Sequence, residues 1–379
     1  MSAVAKTAFW GSAALVVYAQ AGYPLLLAAV ARARRRPEGV PRPTDALEPS
    51  VSLIVAAHRE ADVIAAKVAN ARALDWPRER LEVIVACDGS PDDTPARARA
   101  AGADLVLELP WGGKVRAQDA AVARARGDLL AFSDANALWE PGALRALAAR
   151  FAEPGVGYVC GQVRFVNDGD GSNQEGLYWR YEMALRALES RLASITAGNG
   201  ALYAVRREAY LHVDPVMGHD LSFPFNLVKR GWRAVYEPRA LATERMVPTI
   251  EGEFARKRRM MSHAWPIVLR GGMLSPRGYP PLFALMIVSH RLLRYAAPGL
   301  HAIALGANLA LVGAGRVYVA ALGAQLTVGA AALAGGRWPH RALLVARYYV
   351  LTNASIAAGL WDHVRHGTPA GWTPPAGTR

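Results

Sequence analysis

The stretch Leu129-Leu130-Ala131-Phe132-Ser133-Asp134-Ala135-Asn136 carries the first pattern with chemical potential. An apolar run ends abruptly in an acid and an amide, which is how a strand of an open α/β sheet delivers polar groups to a cleft at its carboxyl end. Hard oxygens from Asp134 and Asn136 suit a divalent cation, and such a cation can hold a diphosphate. An isolated Asp in this position also serves as a turn former or helix cap, so its neighbours must decide. Two earlier apolar runs end in the same way: Val51 to Ala57 leads into His58-Arg59-Glu60, and Leu81 to Cys87 leads into Asp88-Gly89-Ser90. Trp111-Gly112-Gly113-Lys114 then opens a helix expected over Val115 to Arg126. Glycines ahead of a helix let the backbone approach an anion, and Lys114 adds a point charge there. Further on come Gly198-Asn199-Gly200, Gly218-His219-Asp220-Leu221, and the basic run Arg256-Lys257-Arg258-Arg259, with Trp265 close behind. Helix capping by Asp220 and a solvated or lipid-facing basic run are the local alternatives.

The elements that must position these residues read as strands at 51–57, 81–87, 103–107 and 129–132, separated by helix-length segments rich in Ala and Arg. That alternation predicts parallel strands with crossover helices, a doubly wound sheet whose ligand lies beyond the strand ends. Three acidic strand tips in succession, Glu60, Asp88 and Asp134, exceed what turn chemistry alone would place there. Gly161 to Phe165 reads as a further strand and Gln174 to Leu192 as a long amphipathic helix. The aromatics Tyr178, Trp179 and Tyr181 on that helix are expected in the core rather than in the site. A helix over Ser222 to Arg230 is expected to stop at Gly231.

The chain has 379 residues, 52% of them hydrophobic, and a formal net charge of +13. A mean hydropathy of +0.10 is high for a soluble chain of this size. Phe9 to Ala31 contains no charged residue and is long enough to cross a bilayer, with Arg32, Arg34, Arg35 and Arg36 directly behind it. Positive charge after the apolar run argues against a cleaved leader and keeps the following domain in the cytoplasm. Ala296 to Val312, Val317 to Ala334 and Ala342 to Leu360 are each near spanning length. Tyr279 to Ser289, interrupted by His290, Arg291 and Arg294, is expected to form a separate interfacial helix with snorkelling arginines. The expected organisation is therefore an anchor (1–36), a linker (37–49), a cytosolic domain (50–270), an interfacial region (271–295), spans (296–361) and a tail (362–379), in an inner-membrane, multi-pass protein. Arginines clustered at membrane edges, without an aromatic and basic platform for bases, exclude a nucleic-acid binder. Cys87 and Cys160 have no pairing or metal-ligand spacing and read as buried free thiols in a reducing compartment.

Taken in order, Ala-Ala-His-Arg-Glu, Asp-Gly-Ser, Gly-Lys-x-x-Ala and Ser-Asp-Ala-Asn resemble the nucleotide-sugar half of family-two inverting glycosyltransferases with the A-type fold. They are similar in particular to the membrane-embedded branch of cellulose and hyaluronan synthases. The resemblance implies a donor site made of Ala57, Glu60, Asp88, Lys114, Ser133, Asp134, Arg258 and Arg259, with Glu60 and Asp88 on the nucleoside of a UDP sugar. It implies Mg2+ or Mn2+ held by Asp134 and Asn136, where the family's usual Asp-x-Asp ends in Asp. It implies Asp220 as catalytic base and Gly198, Asn199, His219 and Trp265 on the acceptor side. The family's Gln-x-x-Arg-Trp is not intact, since Met261 and Ala264 stand where Gln and Arg are expected. The expected activity is transfer of a sugar to a growing polysaccharide or a lipid at the membrane. Single addition to ceramide, diacylglycerol or polyprenyl phosphate, and a non-catalytic nucleotide-binding membrane component, are the alternatives.

Overall fold

A computed structural model describes residues 3–34, 48–166, 174–245, 250–338 and 340–371. Arg35, Arg36, nearly all of the expected linker at 37–49 and the last eight residues of the expected tail lie outside the described residues. One eight-stranded sheet organises the domain: β1 (Val51–Ala57), β2 (Leu81–Asp88), β3 (Leu105–Leu109), β4 (Leu129–Asp134), β5 (Leu138–Trp139), β6 (Val156–Val166), β7 (Leu202–Arg206) and β8 (Arg233–Arg245). The strand order is β3-β2-β1-β4-β7-β6-β8-β5.

The first four strands pair in parallel, starting from Val51↔Leu81 and Val51↔Leu129. All seven residues of β1 are buried, which is why this strand reads as an unbroken apolar run rather than an alternation. The chain order reverses between β1 and β4, the place where such a sheet opens a crevice beyond its strand ends. Beyond β4 the sheet is mixed: β7 runs antiparallel to β4 and β6, whereas β6 and β8 are parallel. The third strand begins two residues later than the sequence suggests, because Asp104 is taken by β2. Its amide donates to the Val83 carbonyl at 2.9 Å and its carboxylate accepts the Val83 N–H at 2.8 Å.

Four helices are long and apolar enough to cross a membrane: Ala3–Ala33, Pro281–Ala314, Arg316–Ala334 and Arg341–His366. The expected interfacial helix is a correction. Residues 281–295 continue without a break into the expected span, the turn Ile287–Leu292 being π-helical. His290, Arg291 and Arg294 turn onto the long helix Gln174–Leu192 and the segment after it. His290 Nδ1 lies 2.7 Å from Glu189 Oε1, Arg294 Nη1 lies 2.5 Å from Glu182, and Arg291 Nε donates to Thr196 Oγ1 at 2.9 Å. Tyr23 of the N-terminal span reaches the same carboxylate, donating to Glu189 at 2.7 Å. Around these charges Tyr23, Leu27, Leu185, Phe225, Phe283 and Ile287 form a common apolar cluster, each large side chain contributing about 1.5–3 kcal/mol by burial. The sheet-bearing domain and the apolar helices thus share one core.

Candidate active site

Three strand tips meet at the crevice. Asp88, at the end of β2, accepts the N–H groups of Gly112 at 2.7 Å and Gly113 at 2.8 Å, so its carboxylate fixes the glycine loop. Gly113 has φ 97°, and the Ala370 carbonyl oxygen lies 2.1 Å from where a Cβ would stand, so both backbone and space require glycine. The helix that follows, Lys114–Val122, begins with the lysine itself. Lys114 Nζ forms an ion pair with Asp134 at the tip of β4. Burial alone would lower this ammonium, but the Asp134 carboxylate, with Asp220 and Glu244 farther off, holds it above its ordinary value.

A cavity of about 550 Å3 opens over these tips. Among the expected donor and metal residues, Glu60, Lys114, Asp134, Asn136 and Arg259 line it. Ala57 and Ser133 are buried in the sheet beneath, and Asp88 acts through the glycine loop. On the acceptor side Gly198, Asn199, His219 and Asp220 line the cavity. Asn199 is committed to the backbone, donating to Gly161 O at 2.6 Å and accepting from Leu202 N at 2.8 Å. Gly198 N donates to Asp220 O at 2.7 Å, and only glycine fits there, because Tyr158 Oη lies 2.0 Å from its virtual Cβ. The helix carrying Asp220 runs His219–Lys229 with Gly218 as its cap, earlier than the sequence suggests. Asp220 therefore sits in the first turn, where the helix dipole favours a carboxylate.

His219 is buried, stacked on Phe223 at 4.1 Å between centroids, with Nδ1 2.8 Å from Tyr203 Oη. Burial, then Lys114, pushes its pKa down to about 3, so the imidazole is neutral at physiological pH. Its Nε2 is buried with no hydrogen-bond partner among the described residues. In the tautomer in which Tyr203 donates to Nδ1, Nε2 carries the proton and is a donor in the cavity wall.

Two expected residues stand outside the cavity, for one geometric reason. On the helix Ile250–Leu269, positions 256, 259, 260, 263, 264 and 267 share a face at helical spacing, and all six line the cavity. Arg258 and Trp265, seven residues apart, share a different face and turn toward the helix Arg341–His366. Arg258 forms two 2.6 Å hydrogen bonds to Asp362, and Trp265 Nε1 donates to the Ile356 carbonyl at 3.2 Å. Conversely Trp179, expected in the core, lines the cavity, its ring edge-on to Phe165 at 5.3 Å. Tyr181 instead reaches the N-terminal span, donating to Gln20 O at 3.0 Å.

Sequence reasoning passed over Glu244, Arg256, Arg186, Glu182, Arg291 and Arg294, which also line the cavity. Glu244 was findable, since it ends an apolar strand like Asp88 and Asp134; the others come from helices whose facing cannot be read locally. One Glu244 oxygen is buried without a partner among the described residues. Burial, then the Asp134 carboxylate, raises its pKa to about 7, even though Lys114 and Arg256 pull it down. Lys67 is fully buried beneath the same corner, where burial lowers it to about 7 against the pull of Asp134 and Glu244. No three His, Cys, Asp or Glu side chains converge as a metal group among the described residues. The oxygens that fit a hard cation are two carboxylates, Asp134 and Glu244, and the Asn136 amide; the buried Glu244 oxygen that has no partner among the described residues suits such a ligand set.

Residues 52–212 match the sequence model of Glycosyl transferase family 2. The structure resembles a mannosyltransferase from Pyrobaculum calidifontis, solved in complex with GDP-Man and Mn2+, at 26% identity and a TM-score of 0.71 over 93% of this chain and 98% of that one. An N-acetylglucosaminyltransferase from Rhizobium leguminosarum bv. viciae is 26% identical over 229 residues, 55% of this chain and 54% of that protein. A beta-monoglucosyldiacylglycerol synthase from Synechocystis is 33% identical over 172 residues, 41% of this chain and 33% of that protein. The chain spans about half or less of the length of these two curated relatives. Over residues 52–212 the chain is thus similar to family 2 glycosyltransferases, and its mixed α/β sheet has an A-type fold set between long apolar helices.

Proposed function

We propose that the chain is an integral membrane, inverting glycosyltransferase that moves a sugar from a nucleoside diphosphate to an acceptor presented at the membrane. The observation that carries this reading is that Lys114 and Asp134 at one end, and Asp220 beyond them, line one cavity whose far wall is built by the apolar helices. Asp220 takes the proton of the acceptor hydroxyl as that oxygen attacks the anomeric carbon opposite the leaving diphosphate. Lys114 and Arg259 face the charge that develops on the diphosphate, and His219 Nε2–H offers a donor to a sugar hydroxyl. A divalent cation, when bound by Asp134, Asn136 and Glu244, supplies positive charge at the same place; Mn2+ accompanies the nucleotide sugar in the Pyrobaculum structure. Uridine is the expected base, from Glu60 and Asp88; the GDP-Man of the structural relative makes guanosine the second donor to assay.

A lipid acceptor and single addition are the second reading within this class. It is favoured by the position of Trp265, which packs on a helix rather than forming a sugar platform, and by Tyr348, Thr352 and Ile356 of a candidate span in the cavity wall. The domain would then face the cytoplasm from the inner membrane, as the arginines behind the first span imply. Membranes containing the protein, supplied with labelled UDP and GDP sugars and followed by product mass spectrometry, test this. A product carrying one sugar on a lipid supports the second reading, a ladder of masses supports polymerisation, and no transfer from any donor leaves the non-catalytic alternative.

A further inference from the structure

The helix Ile64–Arg72 sends two side chains to one short segment of backbone. Lys67, fully buried, donates from Nζ to the Ala137 carbonyl at 2.6 Å and lies 5.2 Å from the centroid of the Trp139 ring. Three residues on, on the same face, Asn70 grips the Trp139 backbone twice: Nδ2 donates to its carbonyl at 2.8 Å, and Oδ1 accepts its N–H at 2.9 Å. Residues 135–139 connect Asp134 to β5. β5 in turn pairs with β8 through Leu138↔Thr243 and Trp139↔Ala242, the first of these pairs adjoining Glu244. β4 and β8 are not neighbours; β7 and β6 lie between them. This connecting segment is therefore a second tie, besides the sheet itself, between Asp134, Asn136 and Glu244. Trp139 extends the tie to the acceptor side, donating from Nε1 to the Ala201 carbonyl at 3.0 Å.

A buried ammonium is costly, and a methionine would fill much the same space without that cost. Among the described residues the one hydrogen-bond acceptor Lys67 has is a carbonyl dipole, so local stability does not explain the charge. We propose that Lys67 and Asn70 are positioning residues, a clamp on residues 137–139 that helps set the spacing of the Asp134, Asn136 and Glu244 corner. This rests on reading that corner as the site for the donor diphosphate and a divalent cation.

The test uses the full chain in detergent, as wild type and as Lys67→Met, Lys67→Gln and Asn70→Ala. Three readouts are taken: the unfolding midpoint, Mn2+ binding from the loss of its free electron paramagnetic resonance signal with nucleoside diphosphate present, and hydrogen exchange across residues 135–139 and 241–245. Lys67→Met is expected to unfold at the wild-type temperature or above it, yet to weaken Mn2+ binding about 10-fold or more, as loss of supporting residues behind metal ligands does. Lys67→Met is also expected to speed exchange at 137–139, and Lys67→Gln, which keeps a donor for Ala137, is expected to recover both the slow exchange and part of the Mn2+ affinity. Asn70→Ala is expected to speed exchange at 137–139, and stands in for the lysine variants if they fail to fold. Wild-type Mn2+ affinity in Lys67→Met, or unchanged exchange in Asn70→Ala, would overturn the clamp. If the wild type binds no Mn2+ with any nucleotide while exchange responds as expected, the cation reading of the corner falls and the backbone clamp stands.

Discussion

The two ends of the cavity are built on opposite principles. At the strand-tip end each charged group sits at the tip of a parallel strand or the start of a helix, so its direction follows from a few neighbouring residues. Asp88 orders the glycine loop, the loop starts the helix of Lys114, and Lys114 meets Asp134, all within contacts that run over the edge of one sheet. At the membrane end the groups come from helices far apart in the chain. Glu182 and Glu189 bring together the first span, the helix Gln174–Leu192 and the helix Pro281–Ala314. The first arrangement presents charge to a ligand, whereas the second spends most of its charge holding elements together. Equal densities of charged residues can therefore serve chemistry at one end and assembly at the other.

The sharpest way to break this comparison is at its centre. Asp220→Asn is expected to lower kcat by about 10^3-fold with little change in unfolding temperature, because a positioned base contributes about 10^2 to 10^4 in rate; full turnover in a transfer assay would remove Asp220 from the chemistry. Glu189→Ala should do the reverse. It strips His290 and Tyr23 of a buried carboxylate, and removing one partner of a buried pair costs about 3–5 kcal/mol, read in the unfolding midpoint, with loss of activity following loss of fold. Lys114→Met is expected to cost about 10^2-fold in kcat/KM, since one lost charge contact to a developing oxyanion is of that size.

A smaller effect comes from pH. Because Glu244 titrates near 7, a proton competes with a cation for it below that value. Mn2+ affinity measured with nucleotide present should therefore rise through pH 7 and level off above it, and a flat profile would exclude Glu244 from the ligand set. Without a cation the sign is opposite: a carboxyl raised above its unfolded value contributes stability below the ordinary carboxylate range, and that contribution is lost as pH climbs through 7. His219, already neutral, adds no inflection between pH 5 and 8. The smallest effect belongs to Arg258→Ala. Its pair with Asp362 is largely exposed, worth about 0–1 kcal/mol, and turnover should stay within about 2-fold; a large loss would return Arg258 to the donor site.

The legible part of the site was the part written in short-range grammar. Glu60, Asp134 and Lys114 were found because a strand tip or helix start aims its side chain by local geometry, and Glu244 could have been found by the same rule. Arg258 was chosen and Arg256 passed over because a run of four basic residues on a helix points four ways, and only the packing of that helix decides which way is inward. The partners of Arg291 and Arg294 were not legible for a related reason: hydropathy gives the position of a charged residue along an apolar helix but not the carboxylates on a neighbouring one.

By itself, then, the sequence determined the parallel half of the sheet, its acidic tips, the glycine turn before Lys114 and the four apolar helices, all of which follow from periodicity and backbone preference over a few residues. Only the tertiary structure decided that Asp134 and Glu244 share a corner, that Lys67 lies buried beneath it, and that Trp265 faces a helix instead of a ligand. Those facts depend on contacts across 70 residues or more, between Lys67 and Ala137 or between Trp265 and Ile356, which no local pattern encodes.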